Sequence, residues 1–393
     1  MVAACPLPAP RGTPIRIYRM AEALAQRGHK VDVFTYHLGD QGADPPFNLY
    51  RIPEVLTYRK QDPGPSYQKL MLLDPLLAWK VLRGTGGGHY DVIHAHHIEG
   101  MLTALPSKWC RRLPLIFDVH TLLASELPSY RMGLPGRLTK TAGRYFDAGL
   151  PGRVDHVVCV SEEIRTHLRE VTVLPETHFS TVPNGVEEHF FAAKEKLAQG
   201  APSPMPNSEA PSLVYAGNLA AFQRIDLLLK AFAEARKARP DLRLRILTSA
   251  DFSGYEEQAR ALGIRPFVDL ENSGLDRLPG LLAQATVVAN PRTECAGLPQ
   301  KLLNYMAVGC PIVSFEGSAR HIRHGESGLI ARNDDIAAFA QAVVSLVNDP
   351  GLAQKLGRNA QAFARTNLSW PTAVERLEAI YAALKKRRSV AAR

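Results

Sequence analysis

Short runs of β-branched and apolar residues alternate with longer stretches of helical period along nearly the whole chain, the pattern of βαβ units that feed a parallel sheet. In the first half the expected strands are Val2–Ala4, Val31–Tyr36, Leu49–Arg51, Val92–Ala95, Leu115–Asp118, His156–Val160 and Phe179–Val182. In the second half they are Ser212–Ala216, Arg243–Thr248, Phe267–Leu270, Val287–Ala289 and Ile312–Ser314. Each set suffices for a doubly wound sheet of its own, so an α/β fold with two Rossmann-like domains is expected. Between them, Ala192–Pro211 carries LAQGAPSPMPNSEAPS, dense in Pro, Ser, Gly and Ala and without a period, which reads as a linker. The expected division is therefore residues 1–191, a linker over 192–211, a second domain over 212–370, and a tail over 371–393. A helix of about Pro371–Lys386 in that tail, following Trp370, is free to pack on either domain, the N-terminal one being expected. The first strand is shorter than the ~5 residues usual for an interior parallel strand, so its true start is expected upstream of Met1.

Composition narrows the class. The 393 residues are 46% hydrophobic and 22% charged, globular values that exclude a disordered or fibrous chain. Cys5, Cys110, Cys159, Cys295 and Cys310 stand apart with no C-x-x-C, which speaks against a disulfide scaffold or a thiolate zinc site and for a reducing, cytoplasmic address. No apolar run approaches the ~18–20 residues of a membrane helix, and MVAACPLPAP lacks the basic and apolar regions of a signal peptide, so a soluble or surface-bound protein is expected. The net charge is +9, with five positive residues in the closing KKRRSVAAR. Such a tail gains ~1 kcal/mol per Lys or Arg beside anionic lipid, which suits peripheral contact with an anionic membrane as well as it suits a solvated terminus. The rest of the chain shows no basic stripe interleaved with aromatics, so no nucleic-acid partner is expected.

Candidate chemistry gathers at expected strand ends. After the first strand, Gly12-Thr13-Pro14 opens a helical segment, Arg16–Gly28. Thr13 is a natural N-cap and Pro14 a natural first residue, so Gly12 is expected in the strand-to-helix turn where backbone approaches a ligand. Asp91-Val-Ile-His-Ala-His-His97 and Phe117-Asp-Val-His120 deposit His94, His96, His97 and His120 near the C-terminal edge of a sheet. Strand alternation puts His94 and His96 on one face and His97 on the other, so zinc is not expected, and a hydrogen-bonding role for His120 in the crevice is. Ser161-Glu-Glu reads as a capped helix start, and Pro183-Asn-Gly-Val186 as a tight turn. The richest segment runs from Asn290 to Pro311. A strand ends in a loop bearing Arg292 and Glu294, and a helix from about Pro299 to Gly309 carries Lys301 in its first turn, a place suited to a phosphate.

At this segment the sequence resembles the family 4 glycosyltransferases. The likeness runs through the Gly12 turn, Asp91-Val-Ile-His-Ala-His, Asp118-Val-His120, Val160-Ser161-Glu, Pro183-Asn-Gly-Val, Ala216-Gly-Asn-Leu, Glu294–Pro311 and Glu326-Ser-Gly-Leu329. It implies the GT-B fold, with two doubly wound domains facing across a cleft, the second holding a nucleotide sugar. It further implies transfer of a sugar from a nucleotide diphosphate sugar to an acceptor hydroxyl with retention at the anomeric carbon. His120 and Glu294 are then the catalytic candidates. Donor binding falls to Gly12, Gly217, Asn218, Arg224, Arg292, Gly297, Leu298, Lys301 and Asn304, and the acceptor is a glycan or lipid-linked sugar in cell-envelope or exopolysaccharide synthesis at the inner face of a membrane.

The chain departs from the family pattern in two places. Asn304 stands where the family has its second glutamate, the residue on the ribose hydroxyls, in a variant motif G-x-P-x-K-L-L-N-Y-M-A. The Arg and Lys that usually follow the first strand of the second domain are replaced in Gly217-Asn218-Leu-Ala-Ala-Phe-Gln223-Arg224. Among Arg224, Lys301 and Arg292, Lys301 is the favoured substitute. There is no D-x-D, so no metal and no cofactor are expected. For the acceptor side, the basic segment 108–153 and the amphipathic stretch Lys69–Leu82 fit a membrane-facing surface as well as an ordinary helix face. The departures keep two other classes in view: a non-catalytic nucleotide-sugar-binding or partner protein, and another GT-B enzyme such as a sugar-nucleotide epimerase or a phosphorylase.

Overall fold

The computed structural model describes residues 1–9, 12–40, 44–59, 66–87, 90–129, 136–199, 210–272, 274, 276–295 and 299–391. The chain forms two compact units, Met1–Asn184 with Trp370–Arg393, and Gly185–Ser369.

The first unit is built on a seven-stranded parallel sheet of β1 (Val2–Ala3), β2 (Asp32–Thr35), β3 (Asn48–Arg51), β4 (Ile93–His96), β5 (Leu115–Val119), β6 (His156–Cys159) and β7 (Phe179–Thr181), in the order β3-β2-β1-β4-β5-β6-β7. The inner strands β1, β2, β4, β5 and β6 are buried at every position, as strands covered by helices on both faces are. β5 is buried at all five positions, and Asp118 is its one charged member. Helix Gly12–Gln26 turns Ile17, Met20, Ala21 and Leu24 into the core, and the chain leaves its end at Gly28, whose φ of +89° favours glycine. The C-terminal helix Trp370–Ala391 packs Val374, Leu377 and Leu384 into the same apolar cluster. Arg27 forks onto Glu378 with bonds of 2.9 and 2.7 Å at its surface.

The second unit carries six parallel strands, β8 (Ser212–Ala216), β9 (Arg243–Leu247), β10 (Val268–Glu271), β11 (Val287–Asn290), β12 (Ile312–Phe315) and β13 (Leu329–Ala331), in the order β10-β9-β8-β11-β12-β13. In both sheets the order reverses beside the first strand, between β1 and β4 and between β8 and β11, which is where open α/β sheets receive ligands at their carboxyl edges.

The structure changes four readings. Gly12 is helical, within Gly12–Gln26, and not in a turn. β13 has no counterpart among the expected strands. Ala193–Ala198, read as the start of a linker, forms a helix, and the second unit already begins at Gly185. Packing explains the last two points: Val186, Phe190, Phe191 and Ala193 are buried against Leu302, Tyr305 and Met306 of that unit. Among the described residues no single helix is long and apolar enough to cross a membrane. Ile336–Asn348 and Pro350–Asn367 are long and apolar enough only as a pair bent by 104°, and Phe339, Val343 and Leu346 of that pair are core residues.

Candidate functional site

In the first unit the carboxyl edge at β4 and β5 holds a closed polar cluster. Register pairs His96 with Asp118, and alternation sends His94 to the same face as His96. Their rings stack 4.6 Å apart. Asp118, with no exposure, receives Arg16 Nη2 at 3.0 Å and Nε at 3.2 Å, His94 Nε2 at 3.3 Å and His96 Nδ1 at 3.3 Å. A carboxylate can only accept, so each facing ring nitrogen carries its hydrogen, and His94 Nδ1 then accepts from Tyr381 Oη at 2.7 Å. Arg16 also donates to the Val182 carbonyl and to Asn184 Oδ1, both at 2.9 Å. Burial alone would raise Asp118, but the Arg16 guanidinium, His120 and the histidine hydrogen bonds hold it well below the usual carboxylate range. Burial likewise lowers His94 and His120 and takes His96 down to about 3, so these imidazoles are neutral near pH 7.

His94, His96 and Asp118 offer ligand atoms within 4.8 Å of one another. They do not fit a cation. The Asp118 oxygen such an ion would need is already 3.0 Å from a guanidinium, and a metal there would face that charge in a dry site.

The sequence places His120 just after β5. Its Nδ1 lies 3.2 Å from Thr13 Oγ1 and its Nε2 3.3 Å from His96 Nδ1, with 7% of the side chain exposed. Gly12 immediately precedes Thr13, so His120 and the start of that helix are neighbours. Of the cluster's anchors, Arg16 and Tyr381 were missed in the sequence. Arg16 carried a usable signal: four residues before Met20 and eight before Leu24, it lies in the helix's own apolar stripe.

In the second unit the carboxyl ends of β8 and β11 meet the start of helix Gln300–Val308. Lys301 Nζ donates to Tyr215 Oη at 2.8 Å and to Gln223 Oε1 at 2.5 Å, and sits 4.2 Å from the centre of the Tyr215 ring. No carboxylate pairs with it among the described residues. Burial, with Arg292 adding repulsion, pushes its pKa down to about 7. Tyr215 Oη–H donates to the Asn218 carbonyl at 2.7 Å, and Asn218 Oδ1 accepts from the Ala220 N–H at 3.2 Å and Gln223 Nε2 at 3.3 Å. Gly217, at φ +142°, lies against this amine: a Cβ there would stand 3.3 Å from both Lys301 Nζ and Tyr215 Oη.

The structure thus brings Gly217, Asn218 and Lys301 together. It commits Arg224 elsewhere, to Asp226 at 3.2 Å, Asp334 at 3.2 Å and Thr293 Oγ1 at 3.2 Å. Arg292 lies over the Phe222 ring at 4.9 Å and donates to the Glu294 carbonyl at 3.1 Å. Glu294 is exposed. Asn304 accepts from Gln300 Nε2 at 3.3 Å. Gly297 and Leu298 lie outside the described residues. Tyr215 and Gln223 escaped the sequence reading, since neither residue type signals a cation's partner until the turn 221–223 is folded over the end of β8.

Two family profiles match the chain, Glycosyltransferase Family 4 over residues 10–190 and Glycosyl transferases group 1 over residues 210–349, together spanning most of it. The chain is a glycosyltransferase, its first domain matched by the family 4 profile. Among curated relatives, the D-inositol 3-phosphate glycosyltransferase of Nocardia farcinica is 28% identical over 95% of this chain and 84% of its own. That of Thermomonospora curvata is 26% identical over 95% and 91%. The solved structure of Anabaena Alr3699/HepE in complex with UDP superposes with a TM-score of 0.73 at 15% identity, covering 97% of this chain and 99% of that one. Sucrose-phosphate synthase from Thermosynechococcus elongatus gives 0.73 at 19% identity over 97% and 96%. The fold of this glycosyltransferase is therefore GT-B, with two Rossmann-like parallel-sheet domains.

Proposed function

We propose that this glycosyltransferase moves a sugar from a nucleoside diphosphate sugar to an acceptor hydroxyl, with the anomeric configuration retained. The observation that carries the reading is Lys301, a half-buried ammonium held by two neutral oxygens, with no carboxylate partner among the described residues, beside the Gly217 turn at the strand-order reversal of the second sheet. A buried cation without a counter-charge is costly unless a ligand supplies that charge, and a diphosphate does. The Anabaena protein's complexes with UDP and with UDP-glucose support the same class of donor.

In this mechanism the anomeric C–O bond breaks toward an oxocarbenium-like state, the departing phosphate oxygen takes the acceptor's proton, and the acceptor oxygen forms the new bond. Lys301 stabilises the charge that develops on the leaving phosphate, with Gly217, Asn218 and Arg292 around it, while Arg224 stays on Asp226 and Asp334. Glu294, Gly297 and Leu298 orient the donor sugar, and Asn304 takes the ribose, as donor and acceptor both. His120, neutral and steered by Thr13 and His96, positions the reacting centre beside Gly12. The charge is handled by Lys301, so no divalent metal is part of the proposal.

For the acceptor we propose a glycan or lipid-linked sugar at the cytoplasmic face of a membrane. Leu70, Met71 and Trp79 are exposed on one helical stretch that also carries Lys80 and Arg83, while Leu73, Leu77 and Val81 of the same stretch are buried, so large apolar side chains remain at the surface after the core is packed. D-inositol 3-phosphate, the acceptor in the relatives' names, is the second acceptor to test.

The test is a thermal-shift screen of UDP-, GDP- and ADP-sugars, in which a ligand at 100 times its Kd adds ~2.7 kcal/mol of stability. Selective stabilisation by one donor, lost in Lys301→Ala, is expected. A shift that survives Lys301→Ala, or none with any donor, would overturn the assignment.

A further inference from the structure

Lys301 is half of a device whose other half is neutral. Two of its three N–H donors end on Tyr215 Oη and Gln223 Oε1, and both acceptors are themselves fixed by Asn218, through its carbonyl and its Oδ1. The circuit holds the amine at the Gly217 turn without neutralising it. The charged and titratable groups that face it are few. Arg292 and Cys295 lie in the loop after β11 and Tyr215 on β8, while Tyr305 of its own helix is turned away onto the backbone of Ala216 at 2.8 Å. Arg224, next in sequence to Gln223, is spent on Asp226 and Asp334.

We propose that Tyr215 and Gln223 are positioning residues that keep Lys301 as an anion receptor whose third N–H donor no described residue takes, so that the diphosphate of the donor, and not a protein carboxylate, is its counter-charge and its binding draws one proton from solvent onto the amine. This rests on the donor reading above and goes beyond it. A glutamate in place of Gln223 would hold the amine equally well yet occupy it. The neutral amide leaves the ammonium unpaired, and burial then makes its protonation depend on the ligand. Donor binding above neutrality is thereby coupled to uptake of one proton.

The experiment measures Kd against pH from 7 to 8.5 with UDP-glucose, GDP-mannose and ADP-glucose, whose diphosphates do not titrate in that range. For whichever binds, Kd of the wild type is expected to rise about 15-fold over the range, as one proton taken up above a titration near 7 requires. Lys301→Arg, which stays charged, is expected to give a flat profile. Gln223→Glu is expected to bind at least about 10-fold more weakly at pH 7, with a flattened profile, because its carboxylate pairs with Lys301 at every pH used. Tyr215→Phe is expected to weaken binding while keeping the slope. A wild-type Kd that is flat while binding is tight would overturn the inference and leave the donor assignment standing. Binding of none of the three would overturn both. If Gln223→Glu does not fold, the contrast between wild type and Lys301→Arg decides alone.

Discussion

The two units each bury a charge at the carboxyl edge of a parallel sheet, and they treat it in opposite ways. Asp118 is oversupplied: a guanidinium, two imidazole N–H donors and a third histidine surround one carboxylate. Lys301 is undersupplied, with two neutral oxygens and another cation nearby. A charge that the protein itself balances ties β4, β5, helix Gly12–Gln26 and the C-terminal helix into one body. A charge left unbalanced leaves work for a ligand. Substitutions at the two places should therefore separate stability from binding.

The largest effect is expected at Asp118. Asp118→Asn leaves Arg16 buried without its counter-ion, and breaking such a pair from one side costs about 3–5 kcal/mol. Denaturant unfolding should show that loss whether or not a donor is present. A loss under 1 kcal/mol would mean the cluster is solvated, and the contrast with Lys301 would fail.

At Lys301 the expectation is inverted. Lys301→Met should cut turnover by ~10²–10³-fold, the range for losing one preorganised donor to a developing oxyanion, yet leave the fold as stable or more so. The sign follows from the lowered pKa. An amine titrating near 7 when folded and near 10.4 when unfolded binds fewer protons in the native state between those values, so stability rises with pH across that window and the burial cost is fully felt below it. The methionine variant should therefore gain most at pH 6 and little at pH 10. A variant destabilised equally at both would show that Lys301 is structural.

Acid separates the units further. His94, His96 and His120 are all lowered by burial, so the unfolded chain takes up their protons first, and stability should fall as pH drops below ~6.5, by up to ~1.4 kcal/mol per unit for each histidine. Asp118, lowered too, adds its own loss only below ~4, where the unfolded carboxyl protonates. His96→Gln should flatten the slope between pH 6.5 and 4 and leave the acid limb below it. An unchanged slope would place the titration elsewhere.

How far these sites were legible in the sequence follows from what kind of fact each is. Val157-Val158 and Leu213-Val214 are buried on both faces and read as strands from their own residues. Leu329–Ala331 does not, since it is three residues long, half-exposed at two of them, and lies at the sheet's edge. Lys301 was found because its neighbourhood is local, a helix start directly after a Gly-Leu-Pro run. Gln223 was not, because its meaning comes from an amine 78 residues away. Asn184 was read as turn chemistry, and the structure adds that its Oδ1 also receives Arg16 from 168 residues earlier. Local pattern thus gave the scaffold and the free charge, while the neutral groups that position that charge became visible only with the fold.

The smallest effect tests how far the closed cluster extends. Tyr381, on the C-terminal helix, reaches His94 across 287 residues. Removing its hydroxyl leaves His94 Nδ1 buried with no donor while its Nε2–H still serves Asp118. Tyr381→Phe keeps the ring and its packing, so the cost should be that of one buried hydrogen bond, about 1 kcal/mol. The tautomer argument sharpens this. With Asp118→Asn in the background, the asparagine offers an N–H to the same ring, His94 can turn its proton to Nδ1, and Tyr381 becomes an acceptor whose loss matters differently. A double-mutant cycle should then show a coupling of at least ~0.5 kcal/mol between Tyr381 and Asp118, residues that share only His94. Strict additivity would mean that Tyr381 does not tie the C-terminal helix to Asp118, and that the polar cluster ends at the sheet.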